Sequence, residues 1–166
     1  MIRGFRMADS KNRPSQQERR ARKGAARFYA VQALFQMEAS DVPIGEITRQ
    51  FEAHRIGAET ETETWAEADI NHFRHLIETA VERQGAIDQM TDRALVAKWR
   101  IDRIDPTLRA VFRAGGAELL GTPTPARVVI AEFVDIAKAF FPEGRETNFV
   151  NAVLDHMARE GRASEF

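Results

Sequence analysis

Along most of this chain apolar positions recur every three to four residues, the spacing of helices that bury one face. In the first such run, Ala26, Ala30, Ala33, Leu34 and Met37 fall within about 100° of one another on a helical wheel. They predict a helix over roughly 19–39. Ser40, Asp41 and Pro43 stop it and start a shorter helix, about 44–55, with Ile44, Ile47 and Phe51 inward and Gly57 at its end. The alternating Glu and Thr of 59–63 read as a loop. From Trp65 a long helix carries Ile70, Phe73, Leu76, Ile77, Ala80, Val81 and Ile87, with a bend near Gly85. Met90 and Leu95 extend its pattern toward Trp99 and Ile101.

Asp105-Pro106 is an N-cap followed by a first-turn proline. It opens a helix with Leu108, Val111, Phe112 and Leu119. Gly115-Gly116 inside that helix costs roughly 1 kcal/mol per residue in propensity, which close approach of another helix would offset. Thr124-Pro125 repeats the capping pair ahead of Val129, Phe133, Ile136 and Phe140. Pro142-Glu143-Gly144 then forms a loop before a last helix with Phe149, Val150, Val153, Leu154 and Met157. The only β-rich patch, Arg127 to Ile130, sits inside a helical pattern. The expected fold is all-α, with six or seven helices. A polar, Pro-containing basic tail over 1–18 precedes a helical domain over 19–160, and a short tail covers 161–166.

Composition narrows the class. At 43% apolar residues the chain can build a core, and it has no apolar run long enough to span a membrane. The N-terminus lacks the apolar segment of a secretory signal, and Met7 offers a second possible start. The absence of cysteine removes disulfides, zinc fingers and thiol nucleophiles, so a cytoplasmic protein is expected. The net charge of −1 conceals an asymmetry: residues 1–27 carry +7 and the rest −8. A basic arm on an acidic body points to nucleic acid at one end; a merely solubilising tail is the plainer alternative.

No catalytic constellation and no Gly-rich phosphate loop is present, and no cofactor is implied. His72 and His75 lie three residues apart without a His-Glu-x-x-His pattern, so they read as an exposed pair and not as metal ligands. His54 and His156 read as isolated surface residues, and Asp105 is better used as a cap than in acid-base chemistry. The strongest candidates are Arg19, Arg20, Arg22, Lys23 and Arg27, cations gathered at a helix N-terminus where the macrodipole disfavours them unless an anion is near. Arg20, Lys23 and Arg27 flank the apolar stripe on one side; Arg22, Tyr29 and Gln32 flank it on the other. Basic side chains beside aromatics suit RNA or single strands. Tyr29 and Phe35 fit base stacking, partner binding or core packing equally well, as do Phe140, Phe141 and Phe149.

The segment Ala26-Arg-Phe-Tyr-Ala-Val-Gln-Ala-Leu-Phe-Gln-Met-Glu38 resembles the opening helix of the NusB family of bacterial transcription antitermination factors. Residues Pro125 to Phe140 and Asn148-Phe-Val-Asn-Ala-Val-Leu-Asp155 resemble its two closing helices. The resemblance spans about 19–160 and implies an all-helical fold of two packed halves with no enzymatic activity. It implies binding, together with the ribosomal protein NusE, to the boxA element of ribosomal RNA transcripts, in a complex with RNA polymerase and other Nus factors. Carried onto this chain, RNA would meet Arg19, Arg20, Arg22, Lys23 and Arg27, with Tyr29 and Gln32 beside them, and NusE would meet Phe35, Glu143 and Phe149. Ala117, Ala131 and the Gly24-Ala25 break in the basic stretch depart from the family pattern.

The same module also resembles the N-terminal domain of ribosomal RNA cytosine methyltransferases. Such an enzyme needs a catalytic Cys and an α/β domain, and this chain reaches Phe166 with neither. A protein-interaction domain with an inert basic tail is the third reading. On the first reading, replacing Arg20, Lys23 and Arg27 with Ala weakens RNA binding and costs no more than about 1 kcal/mol of stability.

Overall fold

The computed structural model describes residues 13–57, 66–95 and 100–166. The expectations for Met7, for the loop at 59–63, and for Trp65 and Trp99 fall outside the described residues. Among those that are described, seven α-helices form and no strand does. They are α1 Gln16–Ala39, α2 Ile44–His54, α3 Ile70–Glu82, α4 Gln84–Ala94, α5 Pro106–Gly121, α6 Ala126–Phe140 and α7 Arg145–Gly161, followed by a 3₁₀ turn at Ala163–Glu165.

The helix α5 is the axis of the molecule. Every residue from Ala110 to Leu119 is buried, because α1, α3, α4, α6 and α7 all pack against this helix. Its two adjacent glycines make that enclosure possible. A Cβ on Gly115 would lie 2.9 Å from Leu154 Cδ2, and one on Gly116 would lie 2.6 Å from Ile87 Cγ2. Their missing side chains admit α7 and α4, as the Gly-Gly pair predicts. In the N-terminal half, Phe51 lies between Tyr29 and Phe73, with ring centroids 6.3 Å and 5.9 Å away.

Three helix ends depart from expectation, two for local reasons and one because the capping group lies elsewhere in the chain. The first helix begins at Gln16, not 19, because the Ser15 hydroxyl accepts from the Glu18 N–H at 3.1 Å. Residues 16–18, assigned to the tail from sequence, are therefore helical. The long helix expected from Trp65 is two helices, parted at Arg83 with its cap conformation of φ −111°, ψ 19°. Asp105 caps α5 through the Thr107 N–H at 2.7 Å, as expected. Thr124 does not cap α6; the Glu165 carboxylate accepts from the Ala126 N–H at 3.1 Å instead. Arg162 completes this corner by donating to the carbonyls of Leu119 and Thr122, both at 2.6 Å.

Candidate nucleic-acid interface

The basic head of α1 is a rigid feature. Ser15 caps it, and its far side is bound to the segment that enters α3. There the Asp69 N–H donates to the Arg22 carbonyl at 3.0 Å, and the Tyr29 hydroxyl donates to the Ala66 carbonyl at 2.7 Å. Arg22 also pairs with Glu67 at 3.0 Å. Arg19, Arg20 and Lys23 are exposed, and Arg22 is half-exposed. Arg19, Arg20, Arg22 and Lys23 border a concavity of about 520 Å³ that reaches Pro14, Ala68 and Asp69. Four cations on two turns of one anchored helix form a surface suited to a polyanion.

Arg27 does not belong to that surface. It is 3% exposed, and its guanidinium fork donates to both oxygens of Glu118 at 2.7 and 2.8 Å. Glu118 projects from the buried α5 and is itself 0% exposed. Burial raises the pKa of this carboxyl; the Arg27 fork and His72 more than reverse that, taking it from 4.5 down to about 2. His72 Nε2 stands 3.3 Å from Glu118 Oε2, without hydrogen-bond alignment. Arg27 thus joins α1 to the molecular axis, with Glu132 of α6 3.6 Å away on its other side.

The remaining sequence candidates lie apart from the cationic head. Tyr29 is enclosed in the core, where burial pushes its phenol pKa up. Gln32 lies nine residues beyond Lys23, about 14 Å along the helix. It lines a different groove of about 470 Å³, together with Phe35, Arg55, Thr107 and Phe140. Phe35 is 39% exposed there. Glu143 is exposed in the α6–α7 loop, and Phe149 is half-buried, edge-on to Phe112 at 6.0 Å. The two His residues expected as an exposed pair have separate structural duties: His72 faces Glu118, and His75 Nε2 is 2.6 Å from the Gly121 carbonyl.

Sequence reasoning missed Ser15, Glu118 and Glu132. Ser15-Gln-Gln-Glu18 is the capping-box pattern, legible in the sequence but overshadowed by the arginines that follow. Glu118 was signalled by a lone acid within an otherwise apolar run.

A family model described as the NusB family matches residues 24–159. The chain belongs to the NusB family. A transcription antitermination protein NusB from Maricaulis maris is 46% identical to it over 158 residues, covering 95% of this chain and 98% of the relative. One from Rhodopseudomonas palustris (strain BisB18) is 44% identical, covering 95% and 94%. Among solved structures, T. maritima NusB is 29% identical with a TM-score of 0.67, covering 82% of this chain and 90% of that one. A structure of the antitermination factors NusB and NusE with dsRNA, 24% identical with a TM-score of 0.66 over 88% and 99%, shares the fold. This NusB-family chain is a transcription antitermination factor and not an enzyme. None of its described helices is long and apolar enough to cross a membrane.

Proposed function

We propose that this protein binds the boxA element of ribosomal RNA transcripts as a single strand, in the cytoplasm, together with NusE, within the elongation complex of RNA polymerase and other Nus factors. The observation that carries the proposal is the anchored cationic head: Arg19, Arg20, Arg22 and Lys23 hold fixed positions on α1 because Ser15, Asp69 and the Arg27–Glu118 pair hold the helix. A relative of this fold has been solved with NusE and dsRNA, which supports the partner and ligand classes. Phe35, Glu143 and Phe149 are the candidate contacts for NusE, and Gln32 lines the same groove as Phe35. Arg27 acts in binding by holding the head in place, not by touching phosphate.

The test is a titration of boxA-like single-stranded RNA across salt, with and without NusE. Four phosphate contacts give a slope of log affinity against log salt of about −3. The double variant Arg20→Ala, Lys23→Ala roughly halves that slope and weakens binding. Unchanged affinity in the double variant, or no binding at low salt with NusE present, would overturn the proposal.

A further inference from the structure

We infer that the groove between the head of α1 and the start of α6 is a nucleobase site, where Glu132 accepts from a base's exocyclic amino group and Arg20 and Lys23 hold flanking phosphates. The inference rests on the RNA reading above and deepens it.

The groove holds about 290 Å³ and has three kinds of wall. Arg20 and Lys23 form its rim on α1. Pro123, Pro125 and Val128 form an apolar side across from them. Val128 is 41% exposed, and apolar surface beside fixed cations is the pairing that holds bases as well as phosphates. The third wall is the Glu132 carboxylate, 35% exposed.

A carboxylate here is unfavourable for phosphate and is not needed to neutralise Arg27. Glu118 already takes Nε and Nη2 of that guanidinium, and only Nη1 faces Glu132 Oε1, at 3.6 Å, so the trio of one cation and two carboxylates carries a surplus negative charge. Position 24 leaves this charge uncovered: a Cβ built on Gly24 would lie 3.8 Å from Glu132 Oε2, and glycine supplies no side chain to cap it. An uncovered acceptor in an apolar groove edged by cations suits a ligand that is anionic at its edges and carries N–H donors on a flat apolar body. A nucleotide has that chemistry. Cytosine, adenine and guanine present an exocyclic amine to a carboxylate, and uracil has none. Glu132 also lines a second concavity of about 390 Å³, with Phe28, Ile136 and Ala139, so the carboxylate borders two partly apolar hollows.

The experiment compares labelled 12-nucleotide oligo(rC) and oligo(rU) binding to the full chain at fixed low salt, with NusE present. The wild type is expected to prefer oligo(rC) roughly ten-fold, the discrimination of one good base contact. Glu132→Ala brings the two affinities within about two-fold, chiefly by weakening oligo(rC), while Glu132→Gln, which keeps an acceptor, retains part of the preference. Val128→Ser weakens both strands alike. Thermal melts confirm that each variant is folded. Equal affinity of the wild type for both strands, or a preference that survives in Glu132→Ala, overturns the base site and leaves the RNA reading standing. If neither strand binds, both the base site and the RNA reading are overturned.

Discussion

Lys23 and Arg27 stand one helical turn apart, yet Lys23 is open to solvent and Arg27 is enclosed, with Glu118 held against it. Removing each has a different consequence. Arg27→Ala leaves an uncompensated carboxylate in the core and is expected to destabilise the fold by about 3–5 kcal/mol, read by urea unfolding. Arg20→Ala and Lys23→Ala are expected to stay within about 0.5 kcal/mol of the wild type, since neither has a buried partner. The sequence expectation that all three could be removed at little cost therefore fails at Arg27. Acid should expose the same pair. The folded-state pKa of Glu118 is depressed from 4.5 to about 2, so its contribution is present above about pH 4.5 and is lost as pH falls toward 2. The stability gap between wild type and Glu118→Gln should thus be wide near neutral pH and narrow steadily over that acid range. A gap that stays constant would mean the pair contributes nothing through its charge. That Arg27 is a core residue was only partly legible: it flanks the stripe, one position after Ala26 and seven before Leu34, just beyond the edge of the arc. Which acid would neutralise it was not legible, because Glu118 is 91 residues away.

At the scale of elements, local chemistry set most helix boundaries and failed where a distant group intervened. Asp105 caps its own helix, so its role can be read within three residues. The first turn of α6 instead takes its cap from Glu165, 39 positions on, and Arg162 of the same turn satisfies the end of α5. The helix glycines divide along the same line. Gly24 is mid-helix with only ordinary contact around a built Cβ, so Gly24→Ala is expected to stabilise by about 0.5–1 kcal/mol through backbone propensity. Gly116→Ala is expected to destabilise by about 1–3 kcal/mol, because its Cβ meets Ile87 at 2.6 Å. Paired thermal melts with opposite shifts would confirm the distinction; a Gly116→Ala variant as stable as the parent would contradict the close approach of α4.

For the whole molecule, two clusters of buried and half-buried charge tie the first helix to the axis, one at its middle and one at its C-terminal end. At mid-helix, Arg27 joins Glu118; at the C-terminal end, Glu38 receives Arg109 and Arg113, while Arg113 also grips Asp88 of α4 at 2.9 and 3.0 Å. The side-chain hydrogen bond from Arg109 leads in holding the Glu38 carboxyl below its ordinary range. Helix α1 therefore presents its cations at one end and the Phe35 groove further along as parts of one rigid bar, the geometry needed to bind a strand and a protein side by side. By itself, the sequence determined the helical class, the faces that would be buried and the end of the chain where positive charge would gather, because periodicity and charge are properties of neighbouring residues. Only the tertiary structure decided which cations stay free, which carboxylates answer the others and where the grooves lie. Those outcomes depend on groups tens of residues apart meeting in a medium where an unpaired charge is too costly to leave alone.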